Sequence, residues 1–180
     1  MGTLNAFYVR VYTPEMSRLL LARCSDAYTE ESMPFFAVHL SPEDFDVPTS
    51  RLVALSLELK TDVIWLHFQS AVDSFHSRRW KSGELVRALV YGCFQSERIW
   101  EAIEGAPEEW ESAALFDPDE LSFLLDDSED EEEKARLDKI WEDSMLEVGS
   151  EIPMLDGREV ARKVAEFYRL PGWGLTEDEA

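Results

Sequence analysis

The stretch from Asp62 to Glu104 constrains the fold more than any other part of the chain. Ile64, Leu66 and Phe68 alternate with Trp65, His67 and Gln69, and Val86, Ala88 and Val90 alternate with Arg87, Leu89 and Tyr91. Such alternation marks strands in a sheet, because successive side chains point to opposite faces. Asp62–Trp80, the loop Lys81-Ser82-Gly83 and Glu84–Phe94 are expected to form one long β-hairpin. After a short turn at Gln95-Ser96, Arg98–Glu104 adds another strand, and hairpin-linked neighbours make the sheet antiparallel.

The flanks supply helices and two more strands. Leu4–Thr13 alternates and is rich in β-branched and aromatic residues until Pro14 ends it, and Phe35–Leu40 reads the same way. Glu15–Arg23 suits a turn or two of helix, and Ser41-Pro42-Glu43-Asp44 is a helix-start signature. In Arg51–Lys60 the residues Val53, Leu55, Leu57 and Leu59 alternate like a strand. Leu dominance and the cap residues Thr49 and Ser50 favour a helix. Beyond Pro107 the pattern turns helical and acidic: a short helix in EEWESAALF, another from Asp117-Pro118, and a third from a Ser128/Glu131 capping box to about Val148, stopped by Gly149. A last helix, Arg158–Tyr168, starts from an Asp156/Glu159 box. The acids of the third helix and the bases of the last suggest that these two pack on each other.

The expected fold class is therefore α+β. An antiparallel sheet around the central hairpin, packed by helices, occupies residues 1–116, and an acidic helical C-terminal extension, residues 117–180, packs on it. The length of 180 residues and 45% hydrophobic content suit such a unit and exclude wholesale disorder. No apolar run reaches the roughly 18 residues that a spanning helix needs.

Candidate chemistry follows from the hairpin register. A three-residue loop pairs Trp80 with Glu84, Ser77 with Arg87 and Asp73 with Tyr91. Ile64, Leu66, Phe68, Val72, Val86, Ala88, Val90 and Phe94 then form the core face. Trp65, His67, Gln69, Asp73, Ser77, Arg87, Tyr91 and Cys93 form the other. On that second face His67 is a candidate acid or base, Asp73 its orienting partner and Arg87 an anion holder beside Tyr91. A bulge in so long a strand would move residues to the opposite face.

Other chemistry finds little support. His67 and His76 lie nine residues apart on the expected strand, ~30 Å, too far to share a metal unless the strand bends sharply. Asp126–Glu133 holds seven acids in eight positions, but Glu131 and Leu137 stand where a calcium loop needs Gly and Glu. Glu108, Glu109 and Glu111 around Trp110 read as a solvated helix face. GxSxG, Walker, GxGxxG and HExxH motifs are absent, so no catalytic residue, cofactor or metal is assigned.

Charge divides the chain unequally. Residues 1–90 carry 9 basic and 11 acidic side chains, a net of −2, and residues 91–180 carry 8 and 27, a net of −19. The second half repels nucleic acid and anionic membranes and attracts basic surfaces. The expected partner is a basic protein, met by an inhibitor, immunity or adaptor type of protein, with Glu131, Glu132 and Glu133 as binding residues. The alternative is a small-molecule-binding domain or enzyme using the sheet face around His67. With two dispersed cysteines and no secretory signal in MGTLNAFYVRVY, the expected compartment is a reducing cytoplasm.

The segments TDVIWLHFQSAVDSF (61–75) and ELVRALVYGCFQSERIWEAIEGAPEEW (84–110) resemble a group of uncharacterised bacterial proteins that share an LVYGCF…ER.W…EG.P..W pattern. Here the pattern comprises Leu89 to Phe94, Glu97-Arg98, Trp100, Glu104-Gly105, Pro107 and Trp110. The resemblance covers roughly a quarter to a third of the chain and implies a bacterial source without implying an activity.

Overall fold

The structure, a computed structural model, describes residues 3–41, 49–69, 71–72, 74–94 and 97–173. Six strands, β1 (Thr3–Arg10), β2 (Phe35–His39), β3 (Asp62–Gln69), β4 (Ser74–Lys81), β5 (Glu84–Phe94) and β6 (Glu97–Gly105), form one sheet in the order β2-β1-β3-β4-β5-β6. All neighbouring pairs are antiparallel. Among the described residues the helices are α1 (Pro14–Arg23), α2 (Thr49–Leu59), α3 (Glu109–Leu115), α4 (Pro118–Asp127), α5 (Glu131–Asp143) and α6 (Gly157–Tyr168). The expected α+β class with an antiparallel sheet holds.

The central hairpin differs from expectation. Residues 62–80 are two strands, not one: β3 and β4 pair with each other from Asp62↔Lys81 to Gln69↔Ser74, so the chain reverses within 69–74. The β4–β5 turn is also tighter than expected. Lys81 pairs with Glu84 across Ser82 and Gly83, both at positive φ (51° and 87°), the backbone that two-residue hairpins favour. Gly83 is required twice over, because a Cβ there would lie 3.0 Å from Leu57 Cβ of α2. A shift between Arg79 and Trp80 then places Arg79 opposite Arg87 and Ser77 opposite Leu89.

Each face of the sheet has its own core. On one, Phe7, Val9, Val38, Val63, Trp65 and Trp80 pack with Leu20 of α1 and Leu52, Leu55 and Leu59 of α2. Residues 52, 55, 56 and 59 are the buried positions of α2, spaced as one helical stripe, whereas Leu57 is 60% exposed. The helical reading of that ambiguous segment holds, and the strand-like alternation was a coincidence of Leu spacing. The helix-start signature at 41–44 lies largely outside the described residues.

On the opposite face, Tyr8, Ile64, Leu66, Phe75, Leu89, Tyr91 and Trp100 pack with Trp110 of α3, Ile140 of α5 and Val160, Ala161, Val164 and Ala165 of α6. The expected partnership of the last two long helices is corrected: α6 packs on β3, β4 and α3, while α5 packs with α4. Apolar burial outweighs surface charge attraction here, since exposed ion pairs contribute ~1 kcal/mol at most. The α5 cap is Asp130, whose carboxylate accepts from the backbone N–H of Glu132, and Ser128 instead ends α4. The helix stops at Ser144 in the left-handed region, well before Val148. Beyond it, Gly149 N–H donates to the Trp100 carbonyl and Trp100 N–H to the Ser150 carbonyl, covering part of the β6 edge.

Candidate functional site

The reversal within 69–74 decides where each candidate side chain stands. His67 pairs across strands with His76 and lies on the α1–α2 face beside Trp65. Arg87 and Tyr91 lie on the other face, Arg87 bonded to Glu111 of α3 and Tyr91 in edge contact with Trp100. The four-residue pocket is therefore corrected: His67 is separated from Arg87 and Tyr91 by the thickness of the sheet. Asp73 lies outside the described residues, as does the Cys93 side chain. The expected core face also divides, since Ala88 and Val90 share the His67 side while Ile64, Leu66 and Phe68 lie opposite.

What surrounds His67 is an aromatic cluster. The His67 and His76 ring centroids are 5.3 Å apart, and Trp65 lies 6.3 and 5.8 Å from them. The sharp bend that the sequence did not reveal thus brings together two histidines expected ~30 Å apart. Trp65 Nε1 donates to Asn5 Oδ1 (2.9 Å), and Arg78 sits over the Trp65 ring and donates to Thr49 Oγ1. Burial lowers the pKa of both histidines. For His76, burial, then His67, then Arg78 bring it to about 4. Both rings are neutral near pH 7. Among the described residues no group of three or more His, Cys, Asp or Glu side chains is placed to hold a metal ion.

Arg87 is buried and already paired with a carboxylate. Its Nε and Nη2 donate to the two oxygens of Glu111 (2.7 and 2.5 Å), and its Nη1 donates to the Gly105 carbonyl (2.6 Å). Arg79 bridges Asp62 (2.7 Å) and Glu108 (2.6 Å), and Glu108 also accepts from Trp110 Nε1 and the Tyr168 hydroxyl. Glu108 and Glu111 are therefore not the solvated face the sequence suggested. Spaced i, i+3 at the start of α3, they turn inward over two arginines of the sheet and tie α3 and α6 to it. The available signal was Arg79 and Arg87, two charges on neighbouring strands of the sheet. Burial, and next the hydrogen bond to Glu108, raise the pKa of Tyr168 above the ordinary phenol range. Every member of this network is engaged with another, so it fastens the fold.

The resemblance pattern also has a structural content. Leu89, Tyr91, Trp100 and Trp110 are buried, and Gly105 (φ 83°) lies where a Cβ would come 1.9 Å from the Val86 carbonyl oxygen.

The acidic candidates stand in the open. Glu131, Glu132 and Glu133 form the exposed first turn of α5, where their charge complements the helix dipole. Residues 117–143 hold 13 acids and 3 bases, a net of −10, and twelve of those acids are exposed. Lys134 pairs with Glu131 and Arg136 with Glu147, which leaves most of the carboxylates uncompensated. Within this field α4 buries no side chain, and its Phe123 is 65% exposed. Sequence reasoning missed Phe123, although an aromatic ring between Asp119-Glu120 and Asp126-Asp127 was there to be seen. Among the described residues no helix is long and apolar enough to cross a membrane. Comparison with family models, with curated proteins and with solved structures returns no match.

Proposed function

We propose that the chain is a non-enzymatic binding protein whose α4–α5 surface captures a basic protein partner. The observation that carries this reading is α4 itself, a ten-residue helix with no buried side chain that displays Phe123 among carboxylates. A helix that contributes so little to its own core gains from covering by another surface. An exposed aromatic within a charged ring has the form of a binding anchor with a polar rim. The acids steer a basic partner and set its orientation, and Phe123 supplies the desolvated contact. The same field opposes nucleic acid.

The test is affinity capture from a lysate of the source cell at low salt and again at ~0.3 M, where surface attraction is screened within a few ångströms. A basic partner so identified is then purified and titrated against wild type and Phe123→Ser. Specific docking requires that Phe123→Ser weaken the complex about tenfold or more with the acids intact. Indifference to Phe123→Ser would reduce the interaction to bulk charge and end the proposal.

A further inference from the structure

The helices on the other side of the sheet border a half-open cavity that the proposed partner surface does not involve. It has a volume of about 250 Å³, lies between α1 and α2, and is lined by Arg23, Cys24, Arg51, Ala54, Leu55 and Glu58. Residues 51, 54, 55 and 58 are one stripe of α2, so a single helical face forms one wall and the C-terminal end of α1 the other. Its two arginines are not equivalent. Arg23 Nη2 is neutralised by Glu58 Oε1 at 2.7 Å. Arg51 Nη2 instead donates to Cys24 Sγ at 3.8 Å, a weak bond to sulfur, and no carboxylate among the described residues pairs with it.

Among the described residues, a guanidinium that no carboxylate neutralises is notable in a chain with 38 acids and 17 bases. Here the thiol, itself 5% exposed, holds it at the rim of a concavity whose wall is Leu55 and Ala54. Five donors in a planar fork suit a carboxylate or a phosphate. A volume of about 250 Å³ matches roughly eight waters of liquid, room for a short apolar body behind one anionic head.

We propose that the α1–α2 cavity binds a small organic monoanion, its anionic head on Arg51 and its apolar body against Ala54 and Leu55. Arg23 and Glu58 neutralise each other, so the lining carries one net positive charge, which matches a ligand with a single negative charge.

The test titrates the full chain with butyrate, with butanol as an uncharged control of the same length and with inorganic phosphate as a head without a body. Binding is followed by amide chemical shifts in an assigned spectrum. Expected are saturable butyrate shifts at Cys24, Ala54 and Leu55, at least fivefold weaker responses to butanol and to phosphate, and loss of butyrate binding in Arg51→Gln. Ala54→Trp, which fills the cavity while keeping every charge, should abolish butyrate binding with the thermal midpoint little changed. Either of two results overturns the proposal: no saturation by butyrate at tens of millimolar, or butyrate affinity unchanged in both variants. Phosphate binding as tightly as butyrate would equally overturn it, since the apolar wall would then contribute nothing.

Discussion

Helices α4 and α6 are similar in length and lie in the same acidic half of the chain, yet the fold uses them in opposite ways. Of the twelve residues in α6, five are buried, against β3, β4 and α3, and Asp156 caps it with bonds from two backbone N–H groups. Of the ten residues in α4, none is buried, and its aromatic ring points outward. The difference lies in spacing. Val160, Ala161, Val164 and Ala165 form one narrow apolar stripe that a flat sheet can cover. In α4, Leu121, Phe123, Leu124 and Leu125 spread over more than half the circumference, so no single neighbour can bury them all. Burial separates the two helices into fastener and display.

The largest effect expected from breaking this contrast is Val164→Asp, which places a charge at a fully buried α6 position and should abolish the folded state, read as loss of the cooperative thermal transition. The same substitution at the half-buried Leu124 of α4 should leave that transition in place.

Glu111→Ala comes next. It leaves Arg87 buried without its counter-charge and should cost about 3–5 kcal/mol in denaturant unfolding. Pairing it with Arg87→Met should restore much of the loss, because two apolar residues need no partner.

The third effect is one of pH and belongs to the opposite face. The His76 pKa is lowered from an unfolded value near 6.5 to about 4, so the folded state binds its proton more weakly than the unfolded chain does. The associated stability is complete above pH 6.5 and is lost as pH falls toward 4, by about 3 kcal/mol at most. His67 shifts in the same direction. Unfolding midpoints measured at pH 7 and pH 4.5 should fall further for wild type than for His76→Gln.

The smallest effects sharpen the comparison of the two helices. Asp156→Ala should cost about 1 kcal/mol of global stability, because the helix it caps is part of the core. Asp117→Ala, which removes the equivalent cap of α4, should change the global midpoint by only a few tenths of that and appear instead as faster amide exchange in α4.

Much of this fold was legible in the sequence because period and caps are local. The α2 stripe, the Asp156 cap and the strands at either end of the sheet follow from residues within a turn or two of each other. The reversal within 69–74 was not legible: Ser-Ala-Val-Asp at 70–73 has no Gly or Pro, and Val72 continues the alternation. That one omission reversed the face of every residue between the two turns, and it made a single pocket of His67, Arg87 and Tyr91. It also hid the meeting of His67 with His76. Glu108 and Glu111 failed for a different reason: the arginines that draw them inward come from strands 20 or more residues away, and no local pattern reports them. Glu131, Glu132 and Glu133 stand exposed, since a charged first turn needs no partner beyond its own helix.

The proposed division of labour between α4–α5 and the rest of the molecule is tested most directly by moving charge at constant number. Glu131, Glu132 and Glu133 are changed together to Lys in one variant, and the exposed Glu101, Glu104 and Glu109 in another, and both are titrated with the captured basic partner at low salt. An interface on α4–α5 predicts a loss of about tenfold or more for the first variant and less than about threefold for the second. Equal losses in the two would show that the partner responds only to net charge, and would contradict a docking surface on these helices.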